Sequence, residues 1–178
     1  MKKLLVLICI LFLASPAFGY QAYSSGPLTG TSINFFVFND GAGTISEVEF
    51  SLINNFVIDA PPWDVSGPAD GSATYFDDGP AYSTFGFTFT GFDLGETFNF
   101  KWDPDKIGEA AYGATIQELV GTGVTLVASN GTFTGTMQID TTQDHLVTNW
   151  SSVPEPATML LLGLGLVGLA GVRRKIQK

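Results

Sequence analysis

Two aspartates at the end of a predicted strand are the residues best suited to bind a metal ion. Asp103 and Asp105 follow the run Phe-Asn-Phe-Lys-Trp and flank Pro104. Alternate carboxylates on a tight turn can supply two of the roughly six to eight oxygens that Ca²⁺ prefers. The full calcium-loop signature is absent, and aspartates also stabilise turns without a metal, so a metal-free turn is favoured over a Ca²⁺ site. Four further carboxylates could join such a site: Asp77, Asp78, Asp93 and Glu96.

Carbohydrate chemistry is the second kind that the residue types permit. Paired carboxylates can serve as the acid and the base of a glycosidase, and tryptophan rings stack on sugar rings. The three tryptophans are Trp63, Trp102 and Trp150. Since chance alone pairs some of the many acidic residues, binding without hydrolysis is preferred to a secreted glycan hydrolase.

The single histidine gives little support to nucleophilic catalysis. His145 lies in Gln-Asp-His-Leu without a neighbouring nucleophile motif, and the chain has no Gly-x-Ser-x-Gly elbow. We interpret it as a surface or strand-end residue. No catalytic residue is assigned, and the protein is predicted to be no enzyme.

Composition excludes several classes of protein. The chain has 178 residues, one cysteine and a formal net charge of −9. A disulfide framework and a multi-thiolate metal site are excluded by the single cysteine. Nucleic acid is excluded as a partner because its phosphates require clustered Lys and Arg. The length suits one ordinary domain. No cofactor is predicted apart from the possible Ca²⁺ ion.

The first segment, residues 1–19, has the pattern of a secretory signal peptide. Lys2 and Lys3 precede a short apolar run, which ends in small residues. Cleavage after Ala17 and cleavage after Gly19 both fit, and an uncleaved anchor is the alternative. Cleavage would remove Cys9 and leave a mature chain without cysteine.

The last segment, residues 153–178, combines a Pro-Glu-Pro tripeptide, an apolar span and a basic tail. Residues 157–172 carry no charge and are predicted to form a transmembrane helix of about 24 Å, shorter than the hydrocarbon core. The tail, residues 173–178, should stay on the cytoplasmic side. Its basic residues would act as stop-transfer and orientation determinants: Arg173, Arg174 and Lys175.

This order of parts resembles the PEP-CTERM sorting domain of exported bacterial proteins, with Pro154, Glu155 and Pro156 as its motif. The resemblance covers residue 153 to the end of the chain. It implies recognition and processing by exosortase, a membrane-embedded enzyme, and a Gram-negative host that usually makes extracellular polysaccharide. The membrane anchor would then be transient or permanent, and the destination the cell envelope, the outer surface or the extracellular matrix.

Between these ends, residues 20–152 form a strongly acidic segment with a β pattern. It holds sixteen acidic and two basic residues, a net charge of −14, and 21 of the 23 aromatic residues. Alternating apolar residues and Gly-rich turns predict seven to nine strands, near 33–38, 44–58 (one or two strands), 73–76, 82–90, 96–102, 114–120, 123–129 and 131–139. Asn130-Gly131 predicts a hairpin with a type I′ turn. We expect an all-β, antiparallel, jelly-roll-like sandwich.

Residues 87–105, with Gly113-Ala114-Thr115 after them, also resemble the bodies of other PEP-CTERM exports, more loosely and without naming an activity. The sequence therefore predicts a non-enzymatic exported protein of the envelope or extracellular matrix. The alternative is an adhesin or lectin that binds extracellular polysaccharide, with or without Ca²⁺.

Overall fold

The computed structural model describes residues 19–26, 33–41, 43–53, 56–58, 60–79, 83–108, 113–140, 145–152 and 165. They form twelve strands and one short 3₁₀ helix, Ile116–Leu119. The strands are β1 Tyr20–Ser25, β2 Ile33–Asn39, β3 Ile45–Ser51, β4 Phe56–Val57, β5 Trp63–Ser66, β6 Ser72–Asp77, β7 Thr84–Phe92, β8 Thr97–Trp102, β9 Asp105–Lys106, β10 Gly123–Ala128, β11 Gly131–Asp140 and β12 His145–Ser152.

Ten of these strands make one antiparallel sheet in the order β5-β8-β2-β1-β12-β11-β10-β3-β7-β6, and β4 pairs with β9 apart from it. The sheet curls into a half-barrel. Rings from strands far apart in the order therefore meet inside it: Phe87 of β7 lies 4.7 Å from Phe98 of β8, and Phe35 of β2 lies 5.0 Å from Phe50 of β3.

The curl explains how the observed fold relates to the expected sandwich. The all-β antiparallel class is confirmed, but the two facing layers are parts of one continuous ten-stranded sheet. Residues 93–96 carry the chain from β7, near one edge, to β8, near the other. A short connection between strands that are remote in the order forces the sheet to bend until its inner faces touch.

Phenylalanines at alternate positions of β7 and β8 fill much of the interior. The runs Phe85-Gly-Phe-Thr-Phe in β7 and Phe98-Asn-Phe-Lys-Trp in β8 place every second side chain inside, where it is buried. This is the period of two that a sheet with one buried face requires. Many of their ring pairs pack edge-to-face or tilted, arrangements that the aromatic quadrupole favours.

Several elements differ from the predicted ones. The strand expected at 114–120 is wrong: Ile116 and Leu119, three residues apart, are both buried on one side of a 3₁₀ helix. Strands β1, β5, β9 and β12 were not predicted. The hairpin between β10 and β11 is confirmed, but its turn is not type I′, because neither Ser129 nor Asn130 has a positive φ.

The two terminal segments are mostly outside this description. The predicted signal peptide lies outside the described residues except for Gly19, and the expected transmembrane span 157–172 and basic tail 173–178 lie outside them except for Gly165. Among the residues that the structure describes, no helix is long and apolar enough to cross a membrane.

Candidate functional site

The two aspartates of the predicted metal site lie in a turn between β8 and β9. Asp103 is half-buried after β8, and Asp105 opens β9, where its backbone pairs with Val57 and bridges to Gly113. The Pro104 carbonyl between them accepts a hydrogen bond from the Ala114 N–H. The Asp-Pro-Asp segment thus ties β9 to the chain that precedes the 3₁₀ helix.

Two of the other carboxylates proposed as ligands, Asp77 and Glu96, accept hydrogen bonds from backbone N–H groups of turns. Asp77 accepts a hydrogen bond from the Gly79 N–H at 3.1 Å. Glu96 accepts from the N–H groups of Asp93, at 2.7 Å, and Asp70, at 3.0 Å. Within the described ranges, no group of three or more Asp, Glu, His or Cys side chains is arranged to hold a metal ion.

The three tryptophans occupy three different environments. Trp102 has no exposed surface and contacts Phe35 and Phe85 in the core, so it cannot stack on a sugar at the surface. Trp150 is partly buried against the core. Trp63, on the edge strand β5, keeps 40% of its surface exposed and is the one of the three open to a large ligand.

His145 is the first residue of β12 and a strand-end residue, as interpreted from the sequence. It pairs across the hairpin with Asp140, the last residue of β11. Its ring lies 6.1 Å from that of Tyr23 on β1. The histidine therefore stands where three strands, β1, β11 and β12, come together.

The junction of β1 with β12 is the weakest pairing beside that histidine. β1 pairs with β2 at six positions and β11 with β12 at eight, whereas β1 pairs with β12 only through Tyr23 and Val147 in the described chain. Ser24 partly replaces the missing ladder, since its Oγ accepts a hydrogen bond from the Leu146 N–H at 3.0 Å.

A pocket of about 420 Å³ opens at this junction. Residues whose side chains face outward and residues whose side chains face inward are both among its lining. Its lining is Tyr20, Gln21, Ala22, Tyr23, Asp140, His145, Val147 and Thr148.

Two buried polar atoms lie on β12 at this place. Thr148 lines the pocket with 8% of its surface exposed, and its Oγ1 has no hydrogen-bond partner among the residues described. Nε1 of Trp150, two residues further along the strand and hence on the same face, is also buried and without a hydrogen-bond partner among the residues described, although Trp150 does not line the pocket. Buried polar atoms in proteins usually have partners, so these two are exceptional.

Sequence reasoning missed this pocket because it missed both strands that form it. β1 and β12 are rich in polar residues and stand beside the segments interpreted as sorting signals. The signal was present in β12 as alternation: Leu146, Thr148 and Trp150 face inward, while Val147 and Asn149 between them are more exposed.

The sorting residues follow directly on β12. Pro154, Glu155 and Pro156, and the basic cluster Arg173, Arg174 and Lys175, lie outside the described residues. Strand β12 ends at Ser152, so one residue, Val153, separates the sheet from the tripeptide.

In a comparison with protein families, the model of the PEP-CTERM protein-sorting motif matches residues 152–175. None of the curated proteins and none of the solved structures that were compared matches the chain. The match confirms the resemblance of the C-terminal segment. A PEP-CTERM sorting signal implies export to the cell envelope or surface and processing by exosortase.

Proposed function

We propose that the chain is a non-enzymatic component of the cell surface or extracellular matrix, with residues 20–152 as the part delivered there. The observation that carries this is the sorting motif at 152–175, which begins at the last residue of the folded sheet. Residues 1–19 would direct export, and residues 157–172 would anchor the chain in the membrane during processing. The motif that exosortase recognises would be Pro154, Glu155 and Pro156.

Replacing Pro154, Glu155 and Pro156 by alanine in the full chain tests this assignment. Expressed in a host that carries exosortase, the variant should keep its tail, and intact mass spectrometry should show a correspondingly larger mature protein. Pro61→Ala, at an exposed position of the folded domain, is the matched control. A triple variant with the same mature mass as the wild type would refute the motif's role.

The basic cluster is tested separately. Changing Arg173, Arg174 and Lys175 to glutamine removes three positive charges that should hold the tail on the cytoplasmic side. We expect weaker membrane retention of the unprocessed chain in fractionation. Unchanged topology, retention and processing would contradict this role.

A second function, binding of extracellular polysaccharide as an adhesin or lectin, is favoured by the exposed ring of Trp63 beside the exposed Val65 on edge strand β5. Trp63→Ala should reduce retention of the full chain on an immobilised neutral polysaccharide, whereas Val65→Ala should reduce it less. Equal retention of wild type and Trp63→Ala would exclude this ring as the platform.

The calcium-dependent form of this function has its own test. Asp103→Asn with Asp105→Asn, and separately EDTA, should lower polysaccharide retention if Ca²⁺ takes part. If retention is insensitive to both changes, the two aspartates have only a structural role in the turn between β8 and β9.

Release of reducing ends from the same polysaccharide would instead indicate a glycan hydrolase.

A further inference from the structure

We propose that signal peptidase removes residues 1–17, so that the mature chain begins at Phe18. Hydrolysis of the Ala17–Phe18 peptide bond consumes one water molecule, leaves a carboxyl group on Ala17 and creates an amino group on Phe18. The inference rests on the export function proposed above and adds the position at which the export segment is removed. It decides between the two positions that fit the sequence, after Ala17 and after Gly19.

Gly19 belongs to the folded domain, although it precedes β1. A Cβ built on this residue would clash with the Asp40 carbonyl and lie 2.9 Å from the nitrogen of Gly41. The backbone at position 19 therefore runs so close to the segment after β2 that only glycine fits, a close approach of the kind for which glycine is used. A fold that requires glycine at this position requires the residue in the mature chain.

The contact with Asp40 accounts for the glycine at position 19 without a cleavage site. Signal peptidase requires small residues at the position before the cleaved bond and two positions earlier. Gly19 satisfies this requirement by its size, but the fold requires the same residue for a different reason. Cleavage after Ala17, with Ser15 two positions earlier, satisfies the requirement without Gly19.

Tyr20, the first residue of β1, is held by the segment after β2 and by the β10–β11 turn. Its exposed fraction is only 3%. Its hydroxyl donates a hydrogen bond to Oδ1 of Asn130 at 2.6 Å and accepts one from the Gly43 N–H at 3.2 Å. Its ring lies so close to Gly41 that a Cβ there would clash with it. The tyrosine is thus fixed on several sides.

Cleavage after Gly19 would make this buried tyrosine the terminal residue. The new α-amino group would be largely charged at neutral pH, and a charge on a residue with so little exposed surface is unfavourable unless it is paired. The contact between Gly19 and Asp40 would also be lost, and terminal residues become disordered unless contacts hold them. Cleavage after Ala17 keeps this contact and moves the charge two residues away along the chain, which favours a stable domain.

The first test is the N-terminus of the exported protein. The full chain is exported by a Gram-negative host, and the mature form is analysed by Edman sequencing and intact mass spectrometry. We expect Phe18 as the first residue, and a first residue of Tyr20 would overturn the inference. If residues 1–19 are all retained, the inference fails together with the proposed signal peptide, so the two failures are distinguishable.

Gly19→Ala gives an independent measurement, because alanine is small enough for cleavage at either position. In a mature chain that retains position 19, the added methyl group clashes with the Asp40 carbonyl and should lower the midpoint of urea denaturation. If the residue leaves with the signal peptide, the mature protein is identical to the wild type. Gly67→Ala is the matched control, because its Cβ would lie 3.8 Å from the nearest atom. An unchanged midpoint for Gly19→Ala would overturn the inference.

Two leucine variants test the cleaved bond itself by short pulse labelling and gel electrophoresis. Ala17→Leu puts a large side chain directly before the proposed bond, so the precursor should accumulate. Gly19→Leu puts the same side chain before the competing bond and should leave the rate of processing unchanged. Accumulation of the Gly19→Leu precursor, or normal processing of the Ala17→Leu precursor, would contradict cleavage after Ala17.

Discussion

At the scale of single residues, Glu118 is a carboxylate whose ionisation is altered by its neighbours. The Thr115 backbone N–H donates to its Oε2 at 3.0 Å and the Thr115 hydroxyl donates at 2.8 Å. These hydrogen bonds, the backbone one most and then the hydroxyl, lower the pKa of Glu118 below its ordinary value, and the charge of Lys106 adds a smaller effect. The ionised carboxylate thus stabilises the start of the 3₁₀ helix.

This arrangement predicts a pH dependence. A lowered pKa in the folded state means that Glu118 contributes stability above its ordinary pKa, and that this contribution is lost as the pH falls through the lowered value. Glu118→Gln should therefore be less stable than the wild type at pH 7, and the difference should shrink as the pH falls through the lowered pKa of the wild-type carboxyl. Urea denaturation at pH 7 and at a series of lower pH values measures this. Gln117→Ala, an exposed neighbour, is the control.

A difference between Glu118→Gln and wild type that persists unchanged at the lower pH would contradict the electrostatic origin. It would indicate that the shape of the side chain stabilises the helix start, and not its charge.

The residue types alone suggest that all three tryptophans could bind sugar, but only an exposed tryptophan ring can stack on a large ligand. The period of two that predicted β8 also places Phe98, Phe100 and Trp102 on one face, so Trp102 as a core residue was predictable from the sequence. The exposure of Trp63 was not predictable from the sequence, because β5 is a short edge strand with Asp64 at φ 50° and a register shift in its pairing with β8. A propensity for regular strands does not detect such a site.

At the scale of elements, the close pairing of β3, β7 and β6 depends on a glycine. Gly86 is buried in the middle of β7 and pairs with Glu49 on one side and Phe76 on the other. A Cβ at this position would clash with the Val48 carbonyl and come within 2.9 Å of Cε1 of Phe76. The ring of Phe76 thus occupies the space that a side chain would fill.

We therefore expect Gly86→Ala to destabilise the domain by about 1–3 kcal/mol, as overpacking in a core typically does. Gly67→Ala is the matched control, because its Cβ would lie 3.8 Å from the nearest atom, the Ala73 nitrogen. The midpoints of urea denaturation of the two variants and the wild type give the comparison. An equal midpoint for Gly86→Ala and Gly67→Ala would show that the sheet adjusts freely at β7.

The elements that the sequence predicts are those with strong alternation of apolar and polar residues, such as β7 and β8, which are rich in aromatic residues, and β10, which has none. The elements that it did not predict are polar, as β1 and β12 are, or very short, as β9 is. The sequence of the 3₁₀ helix predicts a strand instead, because Ile116 and Leu119 are apolar and the segment is too short for a helical period to appear. Order within the sheet depends on contacts between distant residues, which local patterns do not encode.

At the scale of the whole molecule, the central strands β1 and β12 bring the start and the end of the folded domain close together. They are antiparallel neighbours with Tyr23 opposite Val147. By this register, the start of β1 lies near the end of β12, so the later of the two predicted cleavage positions, after Gly19, lies near Ser152. The two predicted membrane segments therefore leave the domain from the same end.

This geometry predicts that the folded sheet hinders access to the sorting motif. Only Val153 separates β12 from Pro154. Inserting a Gly-Ser spacer between Ser152 and Val153 adds reach of about 3.3 Å per residue and should speed the removal of the tail. Pulse-chase labelling followed by gel electrophoresis measures the rate. The same insertion after the exposed Gly67 is the control, and slower or equal processing of the spacer variant would contradict the prediction.

The order of the strands also governs when the domain can fold. β1 lies between β2, which follows it closely in the chain, and β12, more than 120 residues later. If the chain is exported from its N-terminus, the side of β1 that pairs with β12 stays unpaired until β12 has been exported. Pairing between strands so distant in the sequence slows folding. The sheet is thus completed only when the sorting segment, which follows β12 directly, is also exported. Completion of folding and processing of the sorting segment would therefore occur at about the same time.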